Sequence, residues 1–302
     1  MIYHVFANRS NIGDWLSARG IQALLEPLRV RECLCDEPFV PETLARLSAA
    51  GRDDLVIIGG GGLFMDYFAP FWEGFREVAR RVPFCLWGVG YCDLKREPSR
   101  APAALLREII SIARVCVVRD QLTRDHLPGC GLDAPVPCPS VVTIERPSAP
   151  GYGLLHVDNY TTAGEDAYET MDACAQRFAR ETGRPYRQTN NRIPPEGEGA
   201  LAAVLQRYAE ADLVVSSALH GCVIAAAMGR PVLAVSGDHK IESFMEAAGL
   251  REWVCDIGDV DDLPERLAAL RSQPSVLDFV EQARAGNRRV AAQVMALATS
   301  AR

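Results

Sequence analysis

Ser216, Ser217, His220 and Gly221 stand close together between two apolar runs, Leu213-Val-Val215 and Cys222-Val-Ile-Ala-Ala-Ala-Met228. An imidazole titrates near neutral pH and can move a proton. Hydroxyls beside a helix start, where N–H groups are unpaired and the dipole is positive, suit a phosphate or a carboxylate. The chemistry this spacing allows is therefore proton transfer next to a bound anion. Other groups repeat the theme. Asp14 closes Asn11-Ile-Gly-Asp14, Asp66 follows the glycines Gly59, Gly60, Gly61 and Gly62, Arg119-Asp120 follows an apolar run, and Lys240 follows another. Asp14 reads either as a helix cap or as an acid–base group. Arg119 reads either as an ion-pair partner of Asp120 or as an anion clamp. The glycine run lets a ligand approach the backbone closely, and it matches neither the dinucleotide pattern G-x-G-x-x-G nor a P-loop.

Buried strands alternating with amphipathic helices must position these groups. Apolar runs predict strands at Ile2 to Phe6, Val30 to Leu34, Asp54 to Ile58, Pro83 to Trp87 and Arg114 to Val118. After a proline-rich stretch whose end, Glu145-Arg-Pro-Ser-Ala-Pro-Gly151, reads as the domain linker, a second series follows at Tyr152 to Val157, Arg184 to Gln188, Asp212 to Ser216, Pro231 to Ser236 and Trp253 to Asp256. Helical spacing separates the strands, including segments from about Gly164, Glu196 and Asp261, and Ser275 to Ala298 reads as one long helix. The expected fold class is α/β: two doubly wound, Rossmann-like domains with a ligand cleft between their facing edges. The expected boundaries are 1–146 for an N-terminal domain on the acceptor side and 147–275 for a C-terminal domain on the donor side. A helix over 276–302 is expected to pack back on the first.

Composition narrows the function. A chain of 302 residues with net charge −7 lacks the basic surface of a general nucleic-acid binder. Of its 32 basic residues only Lys95 and Lys240 are lysines, so arginine is the default cation. The ten cysteines form no zinc-binding spacing and read as reduced thiols of a cytoplasmic protein. No signal-like start and no membrane span are expected, and no metal or cofactor is called for.

Taken in order, Asn11-x-Gly-Asp14, Ile57-Ile-Gly-Gly-Gly-Gly-Leu-Phe64, Gly88-Val-Gly90, Val118-Arg-Asp120, Ser217-Ala-Leu-His-Gly221, Gly229-Arg-Pro-Val232 and Lys240 resemble the polysaccharide pyruvyl transferase family. The resemblance runs over nearly the whole chain. It implies a fold similar to the glycosyltransferase type B arrangement. It also implies transfer of a pyruvyl group from phosphoenolpyruvate, as co-substrate, to two hydroxyls of a glycan or lipid-linked sugar, forming a cyclic ketal. Peripheral contact with the inner membrane would follow from such an acceptor. On this reading His220 is the acid, Asp14 and Asp66 are the candidate bases, and Arg119 binds the donor. Ser216, Ser217, Leu219, Gly221, Lys240, Asn11 and the backbone of Gly59 to Gly62 complete the substrate site. One position departs from the pattern: the family motif Ser-x-Arg-Leu-His-Gly has Ala218 in place of its arginine. Lys240, Arg230 and Arg124 are the cations considered as replacements. A sugar-nucleotide glycosyltransferase of the same fold, and a non-catalytic glycan- or metabolite-binding homologue, are the alternative readings.

Overall fold

The computed structural model of the protein describes residues 1–159, 165–193, 198–260 and 262–300. The expected helix starts at Gly164, Glu196 and Asp261 lie outside the described residues.

Five strands, β1 (Ile2–Phe6), β2 (Val30–Leu34), β3 (Leu55–Phe64), β4 (Phe84–Tyr91) and β5 (Val115–Val118), form one sheet in the order β2-β1-β3-β4-β5. Five more, β6 (Leu154–Val157), β7 (Tyr186–Thr189), β8 (Leu213–Ser216), β9 (Val232–Ser236) and β10 (Val254–Asp256), form a second in the order β7-β6-β8-β9-β10. All pairings within both sheets are parallel. The central strands are apolar along their length because helices cover both faces of each sheet. Counted within its own half, each sheet runs 2-1-3-4-5, so its order reverses beside its first strand. A crevice opens at the carboxyl ends of the strands at such a reversal. In this molecule the two reversals, β1/β3 and β6/β8, face one another.

The helices are α1 (Ile12–Leu25), α2 (Val40–Ser48), α3 (Ala69–Ala79), α4 (Ala103–Ser111) and α5 (Gln121–His126) in the first half. Those of the second are α6 (Glu165–Glu181), α7 (Glu198–Glu210), α8 (Leu219–Ala227), α9 (His239–Ala247), α10 (Leu263–Ala269) and the long α11 (Leu277–Ser300).

The glycines differ from expectation. Instead of forming a loop after a strand that ends at Ile58, Gly59 to Gly62 continue β3, and Gly88-Val-Gly90 continues β4. Pairing holds them there, with Gly59 beside Trp87 and Gly61 beside Val89. What they accommodate is protein. A Cβ on Gly60 would press on Ser17 of α1, one on Gly61 would overlap the Asp14 carboxylate, and one on Gly59 would overlap the Trp87 carbonyl. Gly60 and Gly61 also have φ of 86° and 98°, which side-chain-bearing residues rarely adopt.

The two halves interlock. Cys138, Ser140, Val141 and Ile144 of the proline-rich stretch are buried, while most of Glu145 to Gly151, the segment read as the linker, is exposed. Ile12, Trp15 and Leu16 of α1 share a core with Leu219, Val223 and Ile224 of the second half. Helix α11 crosses back, and its Val290, Ala291 and Val294 pack with Ile2, Ile21, Leu55 and Trp87. Trp87 Nε1 donates to Asn287 Oδ1 of α11 at 2.8 Å, and Asn287 Nδ2 donates to the Pro137 carbonyl at 2.9 Å.

Backbone hydrogen bonds tie the edges of the crevice. Ile12 N–H donates to the Asn191 carbonyl at 3.1 Å and Ile193 N–H to the Ser10 carbonyl at 2.7 Å. At another point Lys95 N–H donates to the Gly237 carbonyl and His239 N–H to the Asp93 carbonyl, both at 3.1 Å. The Lys95 ammonium adds ion pairs to Glu242, at 2.5 Å, and to Asp256.

Candidate active site

A cleft of about 260 Å³ lies between the two sheets at the carboxyl ends of their strands. From the first half come Asn11 and Asp14 after β1, Gly62 and Met65 at the end of β3, Cys92 after β4 and Arg119 after β5. The second half adds Asn159 after β6, Asn190, Asn191 and Arg192 after β7, Ala218, Leu219 and His220 after β8, and Lys240 after β9. Nearly every strand end thus contributes, as the facing reversals require.

Helix α1 delivers Asp14. Asn11 is the N-cap, its side chain accepting from Gly13 N–H at 2.9 Å, so Asp14 is released from capping and lies in the first turn. Burial raises its pKa to about 7, against the opposing charges of Arg119 and Lys240. Its carboxyl group is therefore poised to hold or release a proton near neutrality.

Helix α8 delivers His220 in its own first turn. The imidazole lies against Gly13, where a Cβ would overlap the ring. Its Nε2 is 3.4 Å from the buried Cys138 thiol. Burial lowers its pKa to about 3, and the charges of Arg119 and Lys240 push in the same direction. His220 is therefore neutral at neutral pH.

Arg119 pairs with Asp120 and also reaches the cleft. Its Nε donates to Asp120 Oδ2 at 3.0 Å and one terminal nitrogen donates to the Tyr91 carbonyl at 3.2 Å, while the guanidinium also borders the cleft. Asp120 in turn caps α5 by accepting from Thr123 N–H at 2.9 Å. Lys240 pairs with Asp238 and donates to Cys92 Sγ at 3.3 Å. Burial opposes its charge, but Cys92 and Asp238 outweigh that and raise its pKa. Arg192 at the cleft mouth is exposed, and its charge reaches Asp14.

Other expected site residues lie elsewhere. Asp66 is exposed and is not among the residues lining the cleft; it accepts from Tyr67 N–H at 3.1 Å. Of the four successive glycines only Gly62 borders the cleft, the others being covered by protein. Ser216 is buried and braces the loop, accepting from Ala218 N–H at 3.1 Å and donating to the Ala218 carbonyl at 2.9 Å. Ser217 Oγ accepts from Asn159 N–H at 2.8 Å, and Gly221 leaves room for Ser216 Oγ. Asn11, Leu219 and Lys240 do line the cleft. Arg230 and Arg124 do not supply the charge absent at Ala218. Arg230 donates to the Ala149 and Ala209 carbonyls, and Arg124 reaches Gln121 on the surface of α5.

Sequence reasoning missed Asn159, Asn190, Asn191, Arg192 and Cys92. A signal existed for the middle three, a polar triplet directly after a predicted strand. Asn191 takes φ of 58°, a left-handed conformation Asn tolerates, and its side chain accepts from Tyr208 OH at 2.7 Å. Among the described residues, no group of three His, Cys, Asp or Glu side chains is placed to hold a metal ion, and no helix is long and apolar enough to cross a membrane.

Comparison with known proteins agrees with this architecture. The UDP-GlcNAc 2-epimerase of Methanocaldococcus jannaschii, solved with UDP-GlcNAc and UDP, is 8% identical with a TM-score of 0.58, over 96% of this chain and 99% of that one. A putative UDP-N-acetylglucosamine 2-epimerase of Listeria monocytogenes is 11% identical with a TM-score of 0.57, over 97% and 95%. An Anabaena protein solved with UDP-glucose is 13% identical with a TM-score of 0.51, over 98% and 99%. These likenesses establish the two-domain, glycosyltransferase type B-like fold. No curated protein matches the chain. The polysaccharide pyruvyl transferase family model matches residues 11–239, from the α1 cap to the start of α9, and so takes in every strand of the cleft except β1. With most of the chain matched, and every cleft residue but Lys240 inside the match, the chain belongs to the polysaccharide pyruvyl transferase family.

Proposed function

We propose that this protein transfers a pyruvyl group from phosphoenolpyruvate to two hydroxyls of a glycan or lipid-linked sugar, forming a cyclic ketal and releasing phosphate. The observation that carries this reading is the gathering of Arg119, Lys240 and Arg192 around Asp14 and His220 in one cleft. Three cations suit a donor bearing both a carboxylate and a phosphate. Two proton-transfer groups of different resting state suit the chemistry that follows.

In the resting cleft Asp14 keeps its proton up to about pH 7, where it is half released, and His220 is neutral. A bound trianion raises both pKa values further, so it reinforces the protonated state of Asp14. The order of roles that follows is the reverse of the one expected from sequence. Asp14 protonates the methylene carbon of the donor, and C2 becomes electrophilic. The first sugar hydroxyl attacks C2 and gives its proton to His220. Phosphate departs with the C2–O bonding pair, and the second hydroxyl closes the ring, its proton leaving with the phosphate. Transfer of the proton from His220 back to Asp14 restores the resting state. No cofactor enters this scheme.

Incubating the protein with phosphoenolpyruvate and a panel of acceptor sugars, while following phosphate release, tests the reaction. Acceptor-dependent release supports it. Turnover of a sugar nucleotide with no release from phosphoenolpyruvate would replace it with glycosyl transfer.

A further inference from the structure

The Cys138 thiol sits at the centre of a small buried network whose protons can be counted. Ser17 Oγ donates to the Gly13 carbonyl at 2.7 Å, so its one hydroxyl proton is engaged. Ser17 Oγ lies 2.9 Å from Cys138 Sγ, and the thiol must therefore be the donor in that contact. Ser140 Oγ donates to the same sulfur at 3.2 Å. The sulfur has no second proton to give, so its remaining contact, 3.4 Å to His220 Nε2, requires that nitrogen to carry the hydrogen. A neutral imidazole has only one N–H. Its Nδ1 is then a bare lone pair, with no hydrogen-bond partner among the described residues.

We infer that Cys138 is a positioning residue that fixes His220 in its Nε2–H tautomer and leaves Nδ1 as the proton acceptor of the cleft. The three members of the clamp are well separated in the chain, Ser17 and Cys138 by 121 positions and Cys138 and His220 by 82. Ser17, Cys138 and Ser140 are all buried, so water does not compete for these bonds. Gly13, whose carbonyl anchors Ser17, also forms the floor under the His220 ring. One turn of α1 therefore sets both the tautomer and the tilt of the imidazole. A second ring nitrogen held by a fixed partner is how proteins choose which nitrogen reacts. The inference deepens the role proposed for His220 and relies on the proposed reaction only for its kinetic consequence.

The test reads the tautomer directly, by nitrogen-15 NMR of histidine-labelled full-length protein near pH 7, with the His220 signals identified by their loss in His220→Gln. The expected wild-type result is a protonated Nε2 and an unprotonated Nδ1. In Cys138→Ala the two nitrogen shifts should move toward each other as tautomers mix, and Cys138→Ser should keep the wild-type pattern. A wild-type Nδ1–H tautomer, or shifts in Cys138→Ala identical to wild type, would overturn the assignment. Because the readout does not involve turnover, failure of the pyruvyl-transfer reading would appear separately, in the phosphate-release assay. With that reaction running, Cys138→Ala should lower kcat about tenfold with KM held, and Cys138→Ser should restore most of it.

Discussion

Gly13 lies flat against the His220 imidazole, so the first turn of α1 in one half packs its bare backbone on a side chain from the first turn of α8 in the other. The contact sets the distance between the group on α1 and the group on α8. Gly13→Ala separates catalysis from folding here. Alanine favours a helix over glycine by about 1 kcal/mol, which offsets part of the strain of displacing the ring. The ring must nevertheless move, and a misplacement of about 1 Å costs on the order of 10²-fold in rate. Thermal unfolding near that of the wild type, together with phosphate release reduced on that scale, is the expected pair of results. Wild-type turnover in Gly13→Ala would show that the position of the His220 ring does not matter.

The pH dependence distinguishes the two assignments of acid and base. With Asp14 as the proton donor, kcat/KM falls as pH rises through about 7, because the free protein loses that proton there. With Asp14 as the base the same limb would rise. Asp14→Asn should abolish turnover by about 10² to 10⁴-fold in either case, so the sign of the wild-type limb decides. Stability provides an independent reading of the same group. The folded-state pKa of Asp14 lies above its unfolded value of about 3.9, so the native state keeps a proton that the unfolded chain has lost. Its contribution becomes unfavourable as pH rises from about 4 to about 7 and stays so above. Asp14→Asn should therefore be more stable than wild type at pH 8, by roughly 1–3 kcal/mol, and gain little at pH 4. Equal gains at both values in denaturant unfolding would refute the raised pKa.

Much of the fold was legible because a parallel sheet covered on both faces leaves continuous apolar runs, and Leu55 to Ile58 or Leu213 to Val215 admit few other readings. The rule that ligands gather at strand ends also located Asp14, Arg119, His220 and Lys240, all of which reach the cleft. Composition misled at one place. The glycines of β3 looked like a ligand loop, yet what they admit is the α1 side chains Ser17 and Asp14. The prolines marked the passage between the halves, and Glu145 to Gly151 is mostly exposed, although Cys138 to Ile144 just before it include buried residues. Cys138 itself carried no local signal, because its role depends on Ser17 and His220, which only the tertiary fold brings to it.

Lys95 links the halves through Glu242 and Asp256, and its own side chain is largely covered. Burial lowers its pKa, but the two carboxylates outweigh that and raise it, so the pairs persist through neutral pH. Each partly exposed pair is worth about 0.5–1 kcal/mol, enough to bias an open–closed equilibrium without unfolding either half. Lys95→Met should raise the KM for both substrates by about two- to fivefold and increase the radius of gyration seen by small-angle X-ray scattering. High salt should reproduce part of the effect in the wild type. An unchanged radius and unchanged KM would remove Lys95 from any part in holding the cleft closed.

Ala218 and Arg192 border the same cleft, one at the cap of α8 and the other after β7. The first is where the family motif places an arginine; the second is an exposed arginine whose charge is felt at Asp14. If Arg192 supplies the charge missing at Ala218, Arg192→Ala should raise the donor KM about tenfold, the equivalent of roughly 1.4 kcal/mol, with kcat little changed. Ala218→Arg in that background should recover most of the loss, because residue 218 is extended, with φ of −114° and ψ of 132°, and faces the cleft. Both effects should shrink at high ionic strength, since Arg192 is open to solvent. Steady-state kinetics of the single and double variants at two salt concentrations check the pairing. An Arg192→Ala variant with wild-type donor KM would assign the donor's charge to Arg119 and Lys240 alone.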